Sequence, residues 1–167
     1  HAARPIYDQE LSTWKPDSAL SRFNQYQGDK PWPVSEDMAD IVTMALRIGA
    51  KTDRAMDITV GPLVNLWGFG PTKAPQHTPS QEQIDQAKAL TGLQHLKVIQ
   101  TVQGQALQKD LPGLYVDLST MGEGYATDHL ARLMESQGIT NYLVSVGGAL
   151  LSRGHTAQGK SWRVAIE

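Results

Sequence analysis

Residues 114–126 read Leu114-Tyr115-Val116-Asp117-Leu118-Ser119-Thr120-Met121-Gly122-Glu123-Gly124-Tyr125-Ala126, and the fold class turns on them. Residues 114–118 predict a strand, and a turn containing Gly122 and Gly124 leads from it into a helix that opens near Gly124. That helix directs Ala126, Leu130, Leu133 and Met134 inward and stops at Gly138, a residue suited to a left-handed C-cap. Ahead of the stretch, residues 96–99 and 106–109 flank a Gln/Gly segment around Gly104 and predict a hairpin. Strands and helices are therefore mixed without strict alternation, which predicts an α+β fold of mixed sheets and packed helices rather than a doubly wound sheet.

Towards the N-terminus, residues 17–24 follow Pro16 as a short helix capped by Asp17 or Ser18, with Trp14 on the loop before it. Residues 35–48 repeat Met38, Ile41, Val42, Ala45 and Ile48 at helical spacing, with Glu36 and Asp37 at the positive end of the dipole and Gly49 as the expected stop. Ser80-Gln81-Glu82-Gln83 is a capping box that starts a helix ending at Gly92. Residues 68–80, rich in Gly, Pro and Thr, read as a long surface loop. Beyond the central helix, Tyr142-Leu143-Val144-Ser145-Val146 predicts a buried strand, and the alternation of Trp162, Val164 and Ile166 predicts another. The chain stops directly after this last segment, which reads as a cut edge.

A length of 167 residues fits one domain with a sizeable core. The 15 basic and 17 acidic residues give a net charge of −2, which supplies no long-range basic field for a phosphate backbone and argues against nucleic acid as a partner. Cysteine is absent, so disulfides, thiolate nucleophiles and cysteine-based metal centres are excluded. His1, His77, His95, His129 and His155 never recur at the spacing that places two ligands on one helical face. There is neither a membrane-spanning run nor an apolar secretion leader at His1-Ala2-Ala3-Arg4-Pro5, so the chain is either cytosolic or has lost a targeting segment.

Four places could carry chemistry. In residues 54–70, Asp57 with its neighbouring glycines is either a turn leading into an apolar element or a pocket wall; on the second reading Asp57 accepts ligand N–H or O–H groups and Gly61 admits close backbone approach. Asp117 lies at a strand end, where ligands commonly bind, ahead of a weak Gly122-x-Gly124 signal whose third glycine is replaced by Thr127. Gly147-Gly148 is either a bulge or bend, or a backbone surface for a flat ligand or phosphate. Trp14 either packs or stacks on a planar ring. A hydrolase triad cannot be assembled, since neither a Gly-x-Ser-x-Gly elbow nor a Walker sequence is present.

Taken together, these segments resemble the FAD:protein FMN transferases, the ApbE family, most closely the enterobacterial lipoprotein members. The matching stretches are Leu11-Ser12-Thr13-Trp14-Lys15-Pro16-Asp17-Ser18 with Ser21-Arg22-Phe23-Asn24, and the run from Met56-Asp57-Ile58-Thr59-Val60-Gly61-Pro62 to Leu66-Trp67-Gly68-Phe69-Gly70. They continue through Val116-Asp117-Leu118-Ser119-Thr120 with Gly124-Tyr125-Ala126, then Val146-Gly147-Gly148 and Trp162-Arg163-Val164-Ala165-Ile166. The resemblance implies a magnesium-dependent enzyme that splits FAD, transfers FMN to a Thr or Ser hydroxyl of a target protein and releases AMP. The implied targets are flavin subunits of sodium-pumping quinone reductases and Rnf-type complexes. It implies that Trp14, where members commonly have Tyr, stacks on the flavin, that Ala55, Met56 and Asp57 line the FAD site, and that Asp117 hydrogen-bonds FAD. Thr120 matches the position whose backbone carbonyl ligates Mg2+, while Glu123 stands where many members carry Lys. It further implies that the chain is the N-terminal portion of a single flavin transferase domain, with a Thr-Met-Gly-Thr-type strand before Leu11 and the remaining metal ligands after Glu167. On this reading the fragment alone is inactive, and the catalytic residues are not assigned. The protein would sit on the periplasmic side of the bacterial inner membrane, held only by a lipid anchor that this chain lacks. A non-catalytic protein that binds or scavenges FAD is the alternative.

Overall fold

The computed structural model describes residues 7–71 and 77–165. The chain divides into two compact units, Asp8–Ser119 and a smaller one formed chiefly from Thr120 onward.

The larger unit opens with a π-helical segment, Tyr7–Leu11, and a loop leading into α1 (Ala19–Gln25). Ser18 rather than Asp17 caps α1, because its Oγ accepts the Ser21 N–H at 3.0 Å. Next come β1 (Trp32–Pro33) and α2 (Glu36–Lys51), whose Ser35 cap accepts the Met38 N–H at 3.1 Å. Met38, Ile41, Val42 and Ala45 are buried, as the helical spacing requires.

The helix runs through Gly49 instead of stopping there. A Cβ at that position would lie 2.4 Å from Leu93 Cδ1 and 2.8 Å from the Met56 carbonyl oxygen, so the glycine serves close approach. Termination comes from Asp53 and Arg54, which adopt left-handed φ values of 50° and 64°, with the Arg54 N–H donating to Gly49 O at 2.8 Å. After this turn come α3 (Gly61–Leu66) and α4 (Gln81–Ala89), the latter with the full Ser80/Gln83 capping box. Helix α4 ends three residues before Gly92.

The expected hairpin forms as β2 (Leu96–Thr101) and β3 (Gly104–Lys109), with Val98 opposite Leu107 and Thr101 opposite Gly104. The short β1 pairs with the other edge of β3, giving an antiparallel sheet of order β1-β3-β2.

Residues 114–118 keep the alternation of a strand, with Leu114, Val116 and Leu118 buried, but they join no ladder. A side chain takes the place of a neighbouring strand: Asn24 Nδ2 donates to Val116 O at 2.9 Å, and the Val116 N–H donates to Asn24 Oδ1 at 2.8 Å.

From there α5 (Ser119–Ser136) leads into the smaller unit. It begins five residues before the expected start, so Gly122 and Gly124 lie within the helix and not in a turn. Gly122, Ala126, Thr127 and Ala131 form its buried side, whereas Leu130 and Met134 are only half-buried and Leu133 is exposed. Small residues, not the leucines, make this face. Gly138 terminates the turn with φ 77°, as anticipated. Strands β4 (Tyr142–Val146) and β5 (Ala149–Arg153) form an antiparallel hairpin. Of β4 only Tyr142 is buried, so this is not the fully buried strand that its composition suggested. Residues 161–165 form no strand; Trp162 instead donates its indole N–H to Arg153 O at 3.0 Å. The remainder of that predicted strand, at Ile166, lies outside the described residues.

Candidate functional site

The turn after α2 delivers Ala55, which is exposed, Met56, which is half-buried, and then Asp57. Asp57 Oδ1 accepts the Thr59 N–H at 2.8 Å and the Thr59 hydroxyl at 2.5 Å, while Thr59 Oγ1 accepts the Gly92 N–H at 2.8 Å. The Asp57 side chain is only 7% exposed, and the Arg54 guanidinium lies 3.4 Å from its Oδ2. Asp57 is thus built into its own loop as an Asx turn, in which the carboxylate replaces a backbone acceptor.

Asp117 repeats the device. Its Oδ1 accepts the Ser119 N–H at 2.8 Å, and its own N–H donates to Ile58 O at 2.8 Å. That main-chain bond makes the two Asx turns adjoining loops. The difference between them lies in the second oxygen: Arg54 faces that of Asp57, whereas Asp117 Oδ2 has no protein partner among the described residues. Asp117 therefore retains acceptor capacity for a ligand N–H or O–H.

Tyr115 completes this corner. Burial pushes its phenol up, the Asp117 charge adds to the rise, and a hydrogen bond with Asn65 works against it, so the phenol is neutral at physiological pH. A Cβ on Gly61 would fall 2.2 Å from Tyr115 Cδ1. The absence of a side chain at Gly61 thus makes room for this ring.

Trp14 lies on the loop before α1 and is 66% exposed. Its backbone is held from beneath, where the Trp14 N–H donates to Ser12 Oγ at 3.2 Å and Ser12 O accepts the Ser18 and Ser21 hydroxyls at 2.6 and 3.2 Å. The indole presents an aromatic face on a braced loop, a surface on which a planar ring can stack. Helix α1 connects the two halves of the candidate site, since its N-terminal serines fix the Trp14 loop and its Asn24 grips the chain one residue before Asp117.

In the smaller unit Thr120 is exposed in the first turn of α5. Helical geometry directs its carbonyl towards the amide four residues on, which leaves one lone pair for a metal. No group of three His, Cys, Asp or Glu among the described residues is arranged to hold a metal ion, and Mg2+ requires about six oxygens. Mg2+ usually keeps several waters and takes one or two protein oxygens beside substrate phosphates, and the exposed Thr120 carbonyl is chemically suited to be one such ligand. Gly147-Gly148 is the tight turn of the β4–β5 hairpin, with Gly147 at φ 58°, and not a bulge. The Gly148 N–H donates to Glu123 Oε2 at 2.8 Å, so the chain's own carboxylate occupies this backbone donor.

Sequence reading passed over Asn24, Thr59 and Tyr115 as individual site residues, although each lies in a stretch that it quoted. Their roles depend on partners up to 92 positions away, which no local spacing exposes. From sequence alone, Lys109 is only a strand end. Its place on the same face as Leu107, two residues earlier, is the available signal of burial.

The ApbE family model matches residues 3–167. The chain is 72% identical over 160 residues to the FAD:protein FMN transferase of Salmonella typhimurium, covering 96% of this chain and 46% of that protein. Among solved structures, it matches the flavin transferase ApbE from Vibrio cholerae with a TM-score of 0.89 and 45% identity, covering 98% of this chain and 52% of that one. It matches the apo form of the flavinyl transferase ApbE from Pseudomonas stutzeri with a TM-score of 0.91 and 36% identity, covering 99% and 51%. These matches bear out the α+β expectation, and the chain spans about half the length of the relatives.

Proposed function

The chain belongs to the ApbE family, and from that premise we propose that it forms the FAD-recognising part of an FAD:protein FMN transferase. The observation that carries the reading is the pair of adjoining Asx turns, which leaves Asp117 Oδ2 as an acceptor beside a neutral Tyr115. In this reading Asp117 accepts a hydrogen bond from FAD, Ala55, Met56 and Asp57 shape the wall next to it, and Trp14 stacks on the flavin ring.

The reaction is a phosphoryl transfer. A Thr or Ser hydroxyl oxygen of the acceptor protein bonds to the phosphorus on the FMN side, the pyrophosphate P–O bond breaks, AMP leaves with the bonding electrons, and the hydroxyl proton is lost. Magnesium, when bound, neutralises phosphate charge; Thr120 would hold it through its remaining carbonyl lone pair, with the other ligands supplied from outside this chain. What the chain's own residues do is bind and orient the flavin nucleotide, the positioning share of a catalysis that rests on positioning and charge stabilisation together.

The acceptors that fit are flavin subunits of sodium-pumping quinone reductases or Rnf-type complexes, reached on the periplasmic side of the inner membrane by a lipid-anchored protein. Fatty-acid labelling of the protein in cells, followed by fractionation, tests the location. The activity is tested by incubating the protein at its natural length with FAD, Mg2+ and such an acceptor, and chromatographing the nucleotides. One AMP per flavin attached, with none formed when the acceptor hydroxyl is removed, is the expected result. FAD binding without AMP release would establish a flavin-binding protein instead.

A further inference from the structure

Lys109, the last residue of β3, is 1% exposed, yet no carboxylate among the described residues pairs with it. A buried ammonium must be answered by other dipoles or it destabilises the fold. Here the answer comes from three main-chain carbonyls: Nζ donates to Phe23 O at 3.1 Å and to Asn24 O and Leu114 O at 3.3 Å each. It also stands 4.9 Å from the centre of the Phe23 ring. Burial lowers its pKa to about 8, so it remains largely an ammonium at neutral pH.

The identity of those carbonyls gives the cation its role. Phe23 and Asn24 belong to the last turn of α1, where the dipole favours positive charge; Phe23 O also takes a shared bond from the Tyr26 N–H at 3.2 Å and keeps capacity for the ammonium. Leu114 opens the extended segment, residues 114–118, that carries Asp117. Lys109 therefore ties the end of α1 to the start of that segment, and two residues further on the Asn24 side chain grips Val116 by both its N–H and its carbonyl. Nothing else among the described residues pairs with the Val116 main chain.

We propose that Lys109 and Asn24 are positioning residues for the flavin nucleotide site: together they clamp residues 114–116 against the end of α1 and so set where Asp117 holds its carboxylate. This rests on the reading of Asp117 as an FAD ligand. The clamp also explains why a segment with strand alternation needs no neighbouring strand.

The test uses the protein at its natural length. Lys109→Met and Asn24→Ser are made alone and in an Asp117→Asn background, and two quantities are measured: the Kd for FAD and amide hydrogen exchange. Each single variant is expected to weaken FAD binding about five- to tenfold, with no further loss once Asp117 is already replaced, as coupled residues require. In the absence of FAD, exchange at Val116 and Asp117 should quicken while that of Ile41 and Val42 in α2 stays as in the parent. Losses that multiply in the Asp117→Asn background, or faster exchange throughout α2, would show general loosening and overturn the proposal. Unchanged exchange at Val116 and Asp117 would remove the clamp itself, whatever the ligand. Unchanged FAD affinity in Asp117→Asn alone would remove the flavin reading beneath it, and with it the proposed role in binding. If Lys109→Met does not fold, Asn24→Ser decides, since it leaves the ammonium and its three carbonyls in place.

Discussion

Asp57 and Asp117 are alike in their turns and different in what they have left to offer. Because Asp57 Oδ1 holds both the amide and the hydroxyl of Thr59, Asp57→Ala leaves a fully buried threonine without that acceptor. A cost of about 1–3 kcal/mol in stability is expected, measured as the midpoint of denaturant unfolding. Asp117→Asn keeps an acceptor for the Ser119 N–H and should leave the midpoint near that of the parent. Its neutral amide should nevertheless weaken FAD binding by about tenfold or more if the carboxylate accepts a ligand hydrogen bond worth about 1.5–3 kcal/mol. Trp14→Ala should cost about 1 kcal/mol, roughly fivefold in Kd, without unfolding, because the ring is exposed in the free protein. Flavin fluorescence titration measures both effects, and unchanged affinity in either variant would remove that residue from the site. Asp57 and Asp117 could be singled out in the sequence from their places beside glycines and at a strand end. The division of labour between them could not, because it depends on what faces each second oxygen: Arg54 faces that of Asp57, and no described residue faces that of Asp117.

At the scale of elements, whatever is fixed within a few residues was legible and whatever is fixed by distant neighbours was not. The Ser80/Gln83 capping box, the Ser35 cap and the Gly138 stop are local hydrogen-bond arrangements, and all three form. Gly49 looked like a helix stop by the same local logic, but Leu93 and Met56 crowd it from outside the helix. Residues 114–118 had the right alternation and the wrong partner. In the smaller unit, Tyr142 donates its hydroxyl to Glu135 Oε1 at 2.7 Å, and Arg153 pairs with the same oxygen at 2.7 Å, joining α5 to both strands of the hairpin. The hydrogen bonds from Tyr142 and Arg153 hold Glu135 below its ordinary value, and the bond to Glu135 holds Tyr142 above its own. The depressed carboxyl contributes stability that is present above its unfolded pKa and lost as pH falls through its folded value. The raised phenol contributes stability that is present below its unfolded pKa and lost as pH rises through its folded value. Thermal melts across pH should therefore fall at both ends, and Tyr142→Phe should flatten each limb in part, the alkaline one less than fully because the raised Tyr115 phenol remains. Limbs unchanged by this substitution would mean that the triad does not couple to folding.

For the molecule as a whole, composition excluded several function classes without identifying one, and the motifs in order along the chain pointed to the family that the comparisons then showed. Asp117 keeps a carboxylate oxygen without a protein partner among the described residues and Trp14 is exposed, while no group of three His, Cys, Asp or Glu among those residues is arranged to hold a metal ion. The chain spans 46% of the Salmonella typhimurium transferase, and we propose that flavin recognition belongs to the part this chain matches and charge neutralisation to the remainder of that protein. The most direct measurement of that account is covalent flavin labelling. This chain alone, the remaining portion of the Salmonella protein alone, and the two joined in one polypeptide are each incubated with FAD, Mg2+ and a flavin-acceptor subunit, then run on a denaturing gel and read by flavin fluorescence. The account predicts a fluorescent acceptor band only with the joined polypeptide. Efficient labelling by this chain alone, or none by the joined form despite intact FAD binding, would contradict it.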